Sequence, residues 1–78
     1  MREIGQQEEA PMTERGEYTF RVKDFENGRF WIAAEPLKGL KRINGLLSFD
    51  LVEGMTLEKA REIAKLMNDN IRSISLTP

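Results

Sequence analysis

A chain of 78 residues with 12 Lys and Arg against 13 Asp and Glu, and a net charge of −1, holds one domain at most. That near-balance argues against bulk attraction to nucleic acid or to an anionic membrane. No Cys and no His occur, which excludes disulfides, weighs heavily against a zinc site, and removes both the commonest general base and the best nucleophile.

Residues 1–16 carry four Glu against two Arg, with Ile4 and Met12 as their only sizeable apolar side chains after Met1. They show no hydrophobic period and read as a flexible leader, the alternative being a segment that orders on a partner. A single small α+β domain is then expected over 17–78. A domain of about 60 residues buries only about 60% of its unfolded surface. Small domains add disulfides, a metal or a partner chain. With the first two disfavoured, a homodimer or a small protein partner is expected.

The first two strands are expected over Glu17–Asp24 and Arg29–Glu35, joined as a hairpin. A two-residue Asn27-Gly28 turn would mix apolar and charged side chains on both faces. A three-residue Glu26-Asn27-Gly28 loop, with Gly28 in the left-handed region as part of a G1 bulge, sorts them. Phe20, Val22, Phe30, Ile32 and Ala34 then share one face, and Trp31 lies opposite with Arg21, Lys23 and Arg29. Pro36 should end the second strand, since it cannot donate to a ladder. From Pro36 to Gly45 runs a connection carrying Lys38, Lys41 and Arg42. Leu37, Leu40 and Ile43 recur there every three residues, which allows a short helical turn.

A third strand is expected over Leu46–Val52, with Leu47, Phe49 and Leu51 facing the core and Ser48 and Asp50 facing away. Thr56 offers a helix N-cap and Glu58 a negative charge in the first turn. Leu57, Ala60, Ile63, Ala64, Met67 and Ile71 form one apolar stripe. Asn68-Asp69-Asn70 ends the helix, with an Asn suited to a left-handed cap. Arg72–Thr77 alternates again and reads as a fourth strand. The order is β-β-β-α-β: a four-stranded, mainly antiparallel sheet with one helix on one face. Strand four is expected to run parallel to strands one and three after a crossover. It is placed beside strand one (order 3-2-1-4), with strand three as the alternative neighbour.

Nothing in the spacing makes a cleft of carboxylates or a phosphate-cradling glycine loop, so an enzyme and a bound cofactor are not expected. Trp31 has three readings. It packs over the stems of Arg21 and Lys23, it anchors a subunit interface, or it stacks on a nucleic-acid base. The candidate binding set is therefore Trp31, Arg21, Lys23 and Arg29, extended by Lys38, Lys41 and Arg42 if that loop folds towards the same face. The expected function is non-catalytic protein binding and regulation, with self-association through an open sheet face or strand edge. Weak single-stranded nucleic-acid binding is the alternative. No stretch is apolar and long enough to span a bilayer, and a cytoplasmic, bacterial setting is expected.

The hairpin, the segment Pro36-Leu-Lys-Gly-Leu40 and the helix opening Gly54-Met-Thr-Leu-Glu-Lys-Ala60 together resemble the N-terminal domain of HicB-type antitoxins. The resemblance covers about forty residues. It implies a degenerate ribonuclease H-like β-β-β-α-β fold, order 3-2-1-4, and an oligomer that masks a small toxin ribonuclease. It carries over no functional residue.

Overall fold

The computed structural model describes residues 12–24 and 28–78. Their elements are β1 (Glu14–Asp24), β2 (Phe30–Lys38), β3 (Leu47–Asp50), α1 (Leu57–Asn70) and β4 (Ile74–Leu76). The sheet order is β3-β2-β1-β4, as expected, and every neighbouring pair is antiparallel.

The hairpin has the register that sorts the side chains. Phe20 pairs with Ala34, Val22 with Ile32 and Lys23 with Trp31. Gly28 has φ +77°, the left-handed region that favours glycine. The remainder of the predicted loop, Glu26 and Asn27, lies outside the described residues. Phe20, Ile32 and Ala34 form the buried core with Ala64 of α1, and Tyr18, Val22, Leu47, Ile63, Met67 and Ile74 pack around it.

The strand limits differ from the sequence reading. β3 and β4 are shorter than the expected Leu46–Val52 and Arg72–Thr77, and β2 starts at Phe30 instead of Arg29. Two strands extend further than expected. β1 starts three residues early, at Glu14, because β4 supplies a partner for Glu14, Arg15 and Gly16. β2 continues through Pro36 to Lys38, with a register irregularity opposite Pro36 at Glu17/Tyr18. The backbone of Phe20 bonds to the side chain of Asn68 rather than to β2. By alternation, β2 therefore turns the backbone groups of Ile32, Ala34 and residue 36 towards β3. Pairing with β3 stops at Ala34, so Pro36 lacks its N–H at a position where no strand could receive it. Beyond Lys38 there is a turn but no helix: Ile43 N–H donates to Leu40 O at 3.4 Å. Leu40 alone of the three periodic residues is buried, and its N–H donates to the Tyr18 hydroxyl at 2.8 Å.

Helix α1 begins as predicted. Thr56 is the N-cap, and its hydroxyl accepts from Lys59 N–H at 3.1 Å. Its other end corrects the reading. The C-cap is Ile71 in extended backbone (φ −100°, ψ 119°), and no described non-glycine residue has positive φ. Without a left-handed cap the chain is not turned back. It carries straight on into β4, so strand four is antiparallel to β1 and not parallel to it. The lengths explain why this works. The 14 residues of α1 span about 21 Å, whereas the 11 of β1 span about 36 Å. The segment leading into α1 lies beside Gly28–Phe30, at the hairpin end of the sheet, and Asn68 reaches only to Phe20. The first turns of β1 remain for β4 to pair.

Candidate functional site

The sheet face opposite α1 carries Trp31, Arg21 and Lys23 of the predicted set, and cross-strand pairing fixes its layout. Trp31 sits between Lys23 on β1 and Asp50 on β3; Ala33 sits between Arg21 and Ser48. Trp31 is half-buried. Ala33 is 0% exposed although no helix covers it. Its cover comes from charged neighbours. Lys23 Nζ reaches Glu35 Oε2 at 2.8 Å, and Arg21 Nε reaches Glu35 Oε1 at 2.7 Å. Lys23 is opposite Trp31, so its side chain and that of Glu35 lean towards each other along β2 to bridge an offset of four positions, about 13 Å. That path lays the aliphatic stem over Ala33. The hydrogen bond from Lys23, helped by the Lys23 and Arg21 charges, holds the Glu35 carboxyl below its usual range despite some desolvation. Glu35 thus gathers both cations that flank the Trp31 row.

The remaining candidates do not join this group. Arg29 lies at the hairpin end, where its guanidinium meets Glu53 Oε2 at 2.6 Å. Lys38, Lys41 and Arg42 lie seven or more positions along from Trp31, beyond about 23 Å of strand. There Glu14 accepts from the backbone N–H of Lys41 and, at 3.2 Å, from that of Arg42. Lys38 shares a shallow hollow with Arg15, Glu17 and Arg72. The predicted basic-aromatic surface is therefore three separate places, and only Trp31, Arg21 and Lys23 are brought together.

Two edges matter more than sequence reasoning indicated. At the outer edge of β3, the alternation set by Phe20 turns the backbone groups of Leu47 and Phe49 towards β2 and those of Ser48 and Asp50 outward. Helix α1 packs on β1 and β2 but does not reach β3. The Phe49 side chain, on the core face, is left 42% exposed, with its ring edge-to-face against Phe20, centroids 6.1 Å apart. Leu46 and Val52, which flank the strand, are exposed too.

The second edge is the β1 side beyond β4. Asn68 occupies it, accepting from Phe20 N–H at 2.8 Å and donating to Phe20 O at 2.9 Å. The side-chain amide takes the place of a peptide group in a neighbouring strand. No sequence signal separates this Asn from its neighbours Asp69 and Asn70; only the approach of α1 to β1 does. Among the described residues no group of three or more acidic side chains could hold a metal ion, and no helix is long and apolar enough to cross a membrane. Comparison with protein-family models, with curated proteins and with solved structures finds no match to this chain.

Proposed function

We propose that this chain is a small non-catalytic binding domain that self-associates through the outer edge of β3. The exposure of Phe49 at an open edge carries the reading. Natural edge strands are blunted by shortness, charge, Pro or bulges; Leu47–Asp50 is short and carries Asp50 but has no Lys, Pro or bulge. A two-fold axis at Phe49 makes the edge complementary to itself. Ser48 then pairs with Asp50 of the second copy, and each pair exchanges two backbone hydrogen bonds because the groups that point outward belong to these residues. The Ser48 hydroxyl lies opposite the Asp50 carboxylate. Phe49 meets its own copy across the narrow, non-hydrogen-bonded pair, where Cα atoms stand about 4.5 Å apart. In the same register Leu46 falls opposite Val52, so two exposed apolar residues cover each other.

The interior gives the same indication. Ile32 is the only large side chain among the described residues that is fully buried. Such a core is thin for a domain with neither disulfide nor metal. A regulatory role of the HicB type rests on the residue resemblance alone and adds no contact at this edge. Nucleic-acid binding by the Trp31 face is less supported, since Arg29, Lys38, Lys41 and Arg42 lie apart from Trp31 and do not extend its basic surface.

Sedimentation equilibrium or light scattering of the wild type and Phe49→Glu tests the proposal. A dimeric wild type and a folded monomeric variant are expected. A wild type that stays monomeric at high concentration, or a Phe49→Glu variant that stays dimeric, overturns it. Trp31→Ala should weaken the dimer less than Phe49→Glu, because Trp31 lies one strand inward.

A further inference from the structure

Independently of β3, we propose that the open edge of β1 at Val22 and Asp24, with the cationic flank of α1, binds an extended acidic segment of a partner protein as an added strand. β4 leaves this edge at Gly16, whereas β1 continues to Asp24. Phe20 directs its N–H and C=O to this side, and by alternation Val22 and Asp24 do so as well. The amide of Asn68 shows that the edge accepts a peptide-like group in strand geometry, and it marks where an incoming strand must stop. Strand addition at an exposed edge takes affinity from backbone hydrogen bonds and specificity from alternate side chains.

The charge around the edge selects the side chains. The hollow between β1 and α1 is lined by Arg21, Lys23, Arg61 and Lys65, with no carboxylate among its lining residues. These cations lie on both sides of an added strand: Arg61 and Lys65 belong to the helix, and Arg21 and Lys23 to the Trp31 face, where both pair with Glu35 through exposed contacts that a ligand carboxylate can share. Successive acidic residues, which point to opposite faces, therefore each meet a cation. Arg61 forms no ion pair among the described residues. Lys65 is held by Asp69 at 2.7 Å, but with side chains 77% and 54% exposed the pair is weak enough to exchange for a ligand carboxylate.

The probe is a fluorescein-labelled peptide of about eight residues, alternating Glu-Glu with Val-Thr, a length typical of one strand. Its binding to the full chain is followed by fluorescence anisotropy. The wild type should bind it, and Arg61→Glu with Lys65→Glu should weaken binding at least about tenfold. Val22→Pro, which deletes an outward N–H without removing a bond to β2, should do likewise. Because that variant can also lose stability, N-methylation of alternate amides in the probe supplies a second test on unaltered protein. A tenfold loss with one methylation phase and none with the other is expected. Absence of binding at low salt overturns the proposal, as does binding that neither methylation phase weakens. Preference for a single-stranded oligonucleotide of equal charge over the peptide also overturns it.

Discussion

Replacing Asn68 with Ala should cost more stability than any other polar substitution on α1. Two hydrogen bonds of 2.8 and 2.9 Å join its amide to the backbone of Phe20, and a longer contact of 3.4 Å comes from the Thr19 hydroxyl. Phe20 is a core residue, and the bonds themselves are partly buried. An ordinary hydrogen bond contributes about 0.5–1.5 kcal/mol net, and an unsatisfied buried group costs about 1–3 kcal/mol. The hollow beside the site admits water to the vacated groups, so the lower scale applies, and the pair comes to about 2 kcal/mol. For a domain of this size that is a fall in melting temperature of roughly 8–16 °C. Urea unfolding followed by circular dichroism measures it: the midpoint should drop with little change in slope. A loss below about 0.5 kcal/mol would refute the reasoning, since it would put the amide on the scale of a surface contact. Asn68→Asp separates the two bonds. The introduced carboxylate can still accept from Phe20 N–H but turns a negative oxygen towards Phe20 C=O. Protonation restores a donor, which raises the folded-state pKa above the unfolded one. This variant should therefore gain stability, relative to its value at neutral pH, as pH falls through the folded pKa towards the unfolded one.

Glu35 behaves in the opposite sense. Its carboxyl is held low by Lys23 and Arg21, so its contribution is present above the unfolded pKa and is lost as pH falls through the folded one. Glu35→Gln should flatten the acid limb of a stability–pH profile, and an unchanged limb would remove Glu35 from the account. Gly16→Ala should destabilise for steric reasons. An added Cβ would stand 2.9 Å from Lys38 O and 3.0 Å from Leu40 N, both backbone atoms, and 2.8 Å from the Tyr18 ring. A cost of about 1–3 kcal/mol, typical of overpacking, is expected in thermal melts. A neutral result would show that the strand ends separate more readily than this packing implies.

Much of the fold was legible because it follows from short-range patterns. Period-2 alternation around a glycine that must take φ +77° allowed only one hairpin register that keeps Phe20, Ile32 and Ala34 together. Thr56 and the apolar stripe that follows it located the start of α1. The position of Trp31 opposite the core followed from the same register. The direction of strand four did not. It depends on α1 being shorter than β1 and on Ile71 continuing extended, and both are comparisons between elements distant in sequence. Pro36 within β2 has the same origin: its missing donor costs nothing once β3 has ended at Leu47.

The candidate site divides along that line too. Residue type and alternation determined which side chains share a face: Arg21 and Lys23 with Trp31, and Ser48 with Asp50. Only the tertiary structure decided what those side chains meet. Glu35 draws in Arg21 and Lys23, Glu53 holds Arg29, and Asn68 takes up the backbone of Phe20 across 48 positions of sequence. Charge partners and edge caps are set by distances in space between side chains remote along the chain. A pattern of letters fixes faces, because a strand alternates whatever its neighbours are; it does not fix which neighbour arrives.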